Sequence, residues 1–165
     1  MAEEHSAGTN PGDSSGVRIL PPVIYLAGLA AGFFLQRAWP VPIGPPTVEP
    51  AIRTGGWVLL VIWLFLSIWA IATFRRAGTT PNPTRPTTTL ALGGPYRWTR
   101  NPMYLAFALM QAGAALIANA LWPLVWLLPV LLVIRLHVIG REERYLERKF
   151  GEDYRAYKRR VRRWF

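Results

Sequence analysis

An unbroken run without a charged residue, Met103 to Ile134, is the feature that most limits how this chain can fold. As a single helix it would be about 48 Å long, whereas the hydrocarbon core of a bilayer is roughly 30 Å thick. The run must therefore turn back on itself, and Asn119 and Pro123 supply the plausible corner. We predict two short transmembrane helices, at about residues 102–118 and 121–139.

Two further apolar segments precede this run. The segment from Gly55 to Phe74 carries no charge and is long enough for one crossing, which predicts a helix at about residues 56–74. A shorter segment, at about residues 22–38, contains Gly28 and Gly32, which suit close packing of helices in lipid. Since 52% of the chain is hydrophobic, the predicted fold class is all-α, a polytopic membrane protein with about four transmembrane helices.

The remaining segments define the domain organisation. Residues 1–18 have almost nothing to bury, and we predict a disordered N-terminal tail. Residues 19–165 form one membrane domain. Its last part, residues 140–165, is predicted to be an amphipathic helical tail on the cytoplasmic side, broken at Phe150-Gly151. This tail can fold back over the preceding connection and close a cavity.

The net charge of +10 is concentrated in the connection from Arg75 to Arg100 and in the tail from Arg141 to Arg163. The proline-rich loop from Trp39 to Thr54 contains Arg53 as its only basic residue, and we predict that it is a spacer. By the positive-inside rule, the basic segments and both termini face the cytoplasm. Topology and anionic headgroups account for this charge, so no nucleic-acid partner is predicted. The chain has no cysteine and two distant histidines, so no metal site is predicted either.

The connection after the second helix contains Pro81, Pro83 and Pro86, which exclude helix. Loops of this length inside a compact domain are usually functional or disordered, and the apolar Leu90-Ala91-Leu92 argues against disorder. We expect the connection to lie across the cytoplasmic mouth of the helix bundle.

The end of this connection, GGPYRWTRNPMY over Gly93 to Tyr104, concentrates glycine, proline, arginine and asparagine just before an apolar helix. Pro102 suits the first position of that helix and Asn101 suits its N-cap, which would explain both residues structurally. A helix N-terminus beside Arg100 is equally a site for a carboxylate. Tyr104 can be a core residue, an interfacial residue or a ligand contact.

Two adjacent carboxylates, Glu142 and Glu143, stand where the last apolar segment ends. Glu142 belongs to an otherwise apolar column with Val138, Leu146 and Phe150, so its carboxylate needs a partner there. Both residues can be surface charges that pair with nearby arginines. Alternatively, they form a carboxylate pair for a cation or for ligand hydroxyls at the membrane interface.

Three motifs, taken together and in order, resemble the integral-membrane methyltransferases that include isoprenylcysteine carboxyl methyltransferase and phosphatidylethanolamine N-methyltransferase. The resemblance covers roughly residues 75–161. Its motifs are Gly94-Pro95-Tyr96 followed by Arg100-Asn101-Pro102-Met103-Tyr104, the pair Glu142-Glu143, and Phe150-Gly151-Glu152 with Tyr154, Tyr157, Arg160 and Val161.

The resemblance implies an enzyme that uses S-adenosyl-L-methionine, releases S-adenosyl-L-homocysteine and takes a lipophilic acceptor from the lipid bilayer. It implies the catalytic residues Arg100, Glu142 and Arg160, with Arg160 as a clamp for the acceptor. It implies cofactor contacts by Gly94, Pro95, Tyr96, Asn101, Pro102, Tyr104, Glu142, Glu143, Tyr154 and Tyr157.

The methyl acceptor stays open at this point, between a carboxylate that is O-methylated and an amine that is N-methylated. Prenylcysteine enzymes usually carry histidine where this chain has Asn101, and the sequence Asn-Pro-Met-Tyr is closer to the phospholipid N-methyltransferase form. The alternative from another class is a non-catalytic membrane protein that binds anionic lipid or a partner through its basic tail.

Overall fold

The computed structural model describes residues 19–79 and 87–164. The predicted tail at residues 1–18, the prolines at positions 81, 83 and 86, and Phe165 lie outside the described residues. In chain order the elements are α1 (Pro21–Ala38), α2 (Glu49–Arg76), a short 3-10 helix (Gly94–Arg97), α3 (Pro102–Ile117), α4 (Leu121–Val125), α5 (Leu127–Val133), a π-helical segment (Ile134–Ile139) and α6 (Gly140–Arg160). All regular secondary structure in the described ranges is helical, and there is one isolated β-bridge, between Thr99 and Arg162.

The predicted corner between the two apolar helices is confirmed at Asn119, whereas Pro123 lies within α4. Helix α3 ends at Ile117, Asn119 takes a left-handed backbone with φ of 47°, and α4 begins at Leu121. Asparagine tolerates this conformation better than most residues. Its side chain also accepts hydrogen bonds from the backbone N–H groups of Ile43 (3.0 Å) and Gly44 (3.1 Å). The proline-rich loop predicted to be a spacer is therefore fastened to the corner.

Helices α4 to α6 form one continuous rod as far as Gly151, because the backbone stays helical at each junction. Two helices among the described residues are long and apolar enough to cross a membrane, Glu49–Arg76 and the continuous Leu121–Arg160. Helix α3 is apolar but shorter. Helix α2 begins earlier than predicted, at Glu49, where Pro50 suits the first turn. The count of four crossings stays a prediction.

Glycines allow the helices to approach closely, as predicted for α1. A Cβ on Gly32 would lie 2.4 Å from Pro123 Cα at the start of α4, and one on Gly28 would collide with Val130 in α5. A Cβ on Gly56 would lie 2.8 Å from the carbonyl oxygen of Gly113, where α2 crosses α3. Helix α1 therefore packs on the α4–α5 rod, and α2 packs on α3.

Candidate functional site

The C-terminal segment pairs with the stretch that leads into α3. The backbone N–H of Arg100 donates to the carbonyl oxygen of Arg162 (3.0 Å), beside the bridge between Thr99 and Arg162. The next carbonyl, that of Arg163, accepts from Thr99 Oγ1 (3.0 Å) and from Asn101 Nδ2 (2.9 Å). The prediction that the tail folds back over the connection is confirmed.

Asn101 stands at the N-cap position of α3, but its side chain makes no capping hydrogen bond. The predicted capping role is therefore wrong for the side chain. Its amide instead joins the start of α3 to the chain terminus, because the carbonyl of Arg163 is held within reach. Pro102 does occupy the first turn of the helix, as predicted.

The predicted break in the tail is a kink at Gly151, whose φ of 55° and ψ of −122° are costly for residues with a Cβ. Beyond it, Tyr154, Tyr157 and Val161 form a buried cluster. The hydroxyl of Tyr157 donates to the carbonyl oxygen of Tyr96 at 2.7 Å. The kink thus returns the end of α6 to the 3-10 helix.

These elements enclose a cavity of about 300 Å³ between the start of α1, the connection, the start of α3 and α6. This volume is at the lower end for pockets that hold small ligands. Most of the predicted site residues line it, namely Tyr96, Arg100, Asn101, Tyr104, Glu142, Glu143, Tyr154 and Tyr157. Much of the remaining wall is apolar and includes Leu20, Pro21, Pro22, Phe74, Leu90, Ala91, Leu92, Met103, Phe107 and Leu146.

Four predicted site residues, in contrast, are not part of the cavity wall: Gly94, Pro95, Pro102 and Arg160. Gly94 has φ of 54°, and a Cβ there would lie 2.4 Å from Thr73 Oγ1, so it lets the connection pack against α2. Pro95 and Pro102 are fully buried in the first turns of their helices. Arg160 is exposed at the end of α6.

Glu143 is buried and pairs with two arginines. Arg163 Nε and Nη2 lie 3.1 Å and 2.5 Å from its two oxygens, which is a bidentate pair. Arg100 Nη2 lies 3.1 Å from Glu143 Oε1, and the Arg100 side chain is 10% exposed. The carboxylate in turn raises the pKa of Arg163, through their hydrogen bonds.

Arg100 uses one nitrogen of its guanidinium for this pair. Its Nε and Nη1 are buried and have no hydrogen-bond partner. Buried N–H groups are rarely left without a partner, and a buried cation makes this more costly. Since Arg100 also lines the cavity, its unpartnered N–H groups are available to an anion such as a carboxylate.

Glu142 lies past the apolar part of its helix, directly after Arg141. Its Oε1 accepts a hydrogen bond of 2.6 Å from the hydroxyl of Tyr104. Burial raises the pKa of the Glu142 carboxyl to about 7; the charge of Glu143 adds to this, and the hydrogen bond from Tyr104 opposes it. A carboxylate poised near neutral pH can take a proton from a ligand.

Sequence reasoning missed Arg163, because it lies in a run of basic residues. Nothing in that run indicates that one arginine has a different role from its neighbours. It also missed the apolar wall from α1, which only the packing of distant segments assembles. Among the described residues, no group of three acidic or histidine side chains is placed to hold a metal ion.

Comparisons with known proteins identify a family for this chain. An uncharacterized protein of Haemophilus influenzae is 48% identical over 67 residues, which is 38% of this chain and 98% of that protein. No solved structure matches the chain. The model of the phospholipid methyltransferase family matches residues 52–153, from α2 into α6 and across Arg100, Tyr104 and Glu142. This chain therefore belongs to the phospholipid methyltransferase family.

Proposed function

We propose that this protein transfers a methyl group from S-adenosylmethionine to a lipophilic or membrane-adjacent acceptor, and that the cavity around Arg100 is the site. One observation carries the proposal. In a largely apolar cavity, the guanidinium of Arg100 presents two buried donors without a partner. The methyl donor carries a carboxylate, which is an anion that the N–H groups of an arginine bind strongly.

Different residues of the cavity contact different parts of the methyl donor. Arg100 binds the carboxylate, and Tyr96, Tyr154 and Tyr157 contact the nucleoside part. Asn101 fixes the segment that carries Arg100, through its hydrogen bond to the carbonyl of Arg163. Glu143 has both oxygens engaged by arginines, so its role is to hold them rather than to contact the donor.

Methyl transfer requires little covalent chemistry from the protein. When bound, S-adenosylmethionine supplies an electrophilic methyl group on a positively charged sulfur. The chain has to align the acceptor with that methyl group and exclude water, and alignment alone can supply about 7–11 kcal/mol. The apolar wall formed by Phe74, Met103 and Phe107 suits the exclusion of water.

An amine is the acceptor that this cavity favours. Arg100 is the only Lys or Arg that lines it among the described residues, and the donor's carboxylate already occupies that group. A carboxylate acceptor would need a second cation, and Arg160 is not in the wall. An amine must first lose a proton, which Glu142 can accept because its pKa is raised to about 7.

The membrane arrangement belongs to the same proposal. Four crossings, with both termini and the cavity on the cytoplasmic side, agree with the basic residues of the connection and of α6. The start of α1 contributes Leu20 and Pro21 to the wall. An acceptor with a hydrocarbon chain would then reach the cavity from the bilayer, along this apolar side.

Thermal unfolding of the purified protein in detergent tests the proposal. S-Adenosylhomocysteine at a hundred times its Kd should stabilise the protein by about 2.7 kcal/mol. Arg100→Gln should remove one charge-assisted contact and weaken binding by about 10-fold or more. Arg97→Gln, an exposed arginine in the 3-10 helix, is the matched control and should bind normally.

If S-adenosylhomocysteine does not stabilise the wild type over a wide range of concentrations, the interpretation as an enzyme is refuted. This result would favour the alternative, a non-catalytic membrane protein whose exposed basic residues on α6 bind anionic lipid. Incubating membranes with methyl-labelled donor, and identifying the labelled product by its mass, then identifies the acceptor and separates N-methylation from O-methylation.

A further inference from the structure

We propose that Arg163 is a positioning residue that keeps two nitrogens of the Arg100 guanidinium free for a ligand, so that the cavity selects adenosyl ligands that carry a carboxylate. The inference rests on the proposed function, because it needs an adenosyl ligand in this cavity. It concerns a residue beyond residues 52–153, the part of the chain that the family model matches.

Two arginines compete for the buried carboxylate of Glu143. Arg163 holds it with both ends of its fork, through Nε to Oε1 and Nη2 to Oε2. Arg100 reaches only Oε1, through Nη2 at 3.1 Å. A bidentate pair between guanidinium and carboxylate is stronger and more directional than a single contact. Because Arg163 takes the bidentate position, Arg100 keeps Nε and Nη1 for another partner.

The backbone around Arg163 holds it in this position. Its carbonyl oxygen accepts hydrogen bonds from Thr99 Oγ1 and Asn101 Nδ2, on the two residues that flank Arg100. The carbonyl of the preceding residue accepts from the backbone N–H of Arg100 itself. The position of Arg163 relative to Arg100 is thus fixed at three points, independently of the ion pair.

Loss of the Arg163 side chain should change the state of Arg100 in two ways. Glu143 is buried and would lack its main partner, so Arg100 would turn to donate more of its N–H groups to that carboxylate. The group of Arg100, Glu143 and Arg163 also carries one net positive charge, and this would fall to zero. Both changes weaken the hold on a ligand carboxylate, whereas contacts with the nucleoside part stay the same.

The test compares two ligands on the full-length protein in detergent, by isothermal titration calorimetry. S-Adenosylhomocysteine has the carboxylate, and 5′-methylthioadenosine lacks it. In Arg163→Gln we expect affinity for the first ligand to fall about 10-fold or more, while affinity for the second is unchanged. Arg159→Gln is the matched control, since that arginine is exposed on α6 and pairs with Glu152.

A second substitution separates positioning from general damage to the fold. In the double variant Glu143→Gln/Arg163→Gln no carboxylate competes for Arg100, so affinity for S-adenosylhomocysteine should return toward that of the wild type. A double variant that binds as weakly as Arg163→Gln would overturn the inference. So would an Arg163→Gln variant that loses affinity for both ligands equally.

The outcomes also separate this inference from the proposed function. If the wild type binds neither ligand, the proposed function fails and the inference fails with it. If the wild type binds S-adenosylhomocysteine and Arg163→Gln binds it equally well, only the inference fails. If Arg163→Gln does not fold, Arg163→Lys can replace it, because lysine keeps the charge but lacks the planar fork of arginine. We then expect a smaller loss of affinity for S-adenosylhomocysteine and none for 5′-methylthioadenosine. Wild-type affinity for S-adenosylhomocysteine in that variant would refute the inference.

Discussion

Replacing Gly56 by alanine should push α2 and α3 apart at their crossing, and the adjacent Gly55 provides a control within the same helix. A Cβ on Gly56 would lie 2.7 Å from Ile117 Cγ1 and 2.8 Å from both the Gly113 carbonyl oxygen and the Ile117 nitrogen. Two of these neighbours are backbone atoms, which cannot rotate away. A Cβ on Gly55 would meet no atom within 4 Å.

The expected difference follows from these contacts. Both substitutions gain the helix propensity of alanine, which is up to about 1 kcal/mol, so this contribution cancels in the comparison. What remains is the cost of overpacking at Gly56, about 1–3 kcal/mol. For a chain of this size each kcal/mol moves the Tm by about 2–4 °C, so Gly56→Ala should melt roughly 2–12 °C below Gly55→Ala.

The measurement is thermal unfolding of both variants in one detergent, followed by tryptophan fluorescence and by circular dichroism. The two signals should give the same Tm, since a difference between them would mean that unfolding is not two-state. Equal melting temperatures for the two variants, or a more stable Gly56→Ala, would refute the close crossing of α2 and α3.

Two further predictions concern the cavity. Because Glu142 must be ionised to accept a proton and its pKa is raised to about 7, the methyl-transfer rate should rise with pH through about 7; Glu142→Gln should lose this rise, and a wild-type rate that is flat from pH 6 to 8 would contradict the role. Tyr157→Phe leaves the buried carbonyl of Tyr96 without its donor, which should cost about 1–3 kcal/mol of unfolding free energy. Tyr154→Phe is the control, because no hydrogen bond of its hydroxyl is found among the described residues, and a denaturant titration in which both variants lose the same stability would count against the Tyr157 contact.

Much of the framework could be predicted from the sequence because it depends on local or periodic properties. The length of the uncharged run required a corner, and Asn119 is among the few residues that tolerate the backbone conformation found there. The kink at Gly151 follows from the conformational freedom of glycine. Helix α2 was predicted to begin too late. The prolines before it indicate a loop, although Pro50 also suits the first turn of a helix.

The candidate site could be predicted only in part. Residues of all three sequence motifs, such as Tyr96, Glu142 and Tyr154, do line one cavity. Their individual roles did not follow from the motifs, since Gly94 serves packing against α2 and the side chain of Asn101 binds a distant carbonyl. A motif identifies which residues matter together, whereas each residue's role depends on what lies opposite it.

The sequence by itself determined that this chain is helical and apolar, where its corner lies, and which short segments carry its chemistry, because hydropathy, chain length and backbone preference are properties of neighbouring residues. Only the tertiary structure decided how the two glutamates differ. Glu143 is held between Arg100 and Arg163, whereas Glu142 faces the cavity with Tyr104. The chain terminus supplies Arg163 far from Arg100 in sequence, and charges so separated act on each other only once folding brings them together.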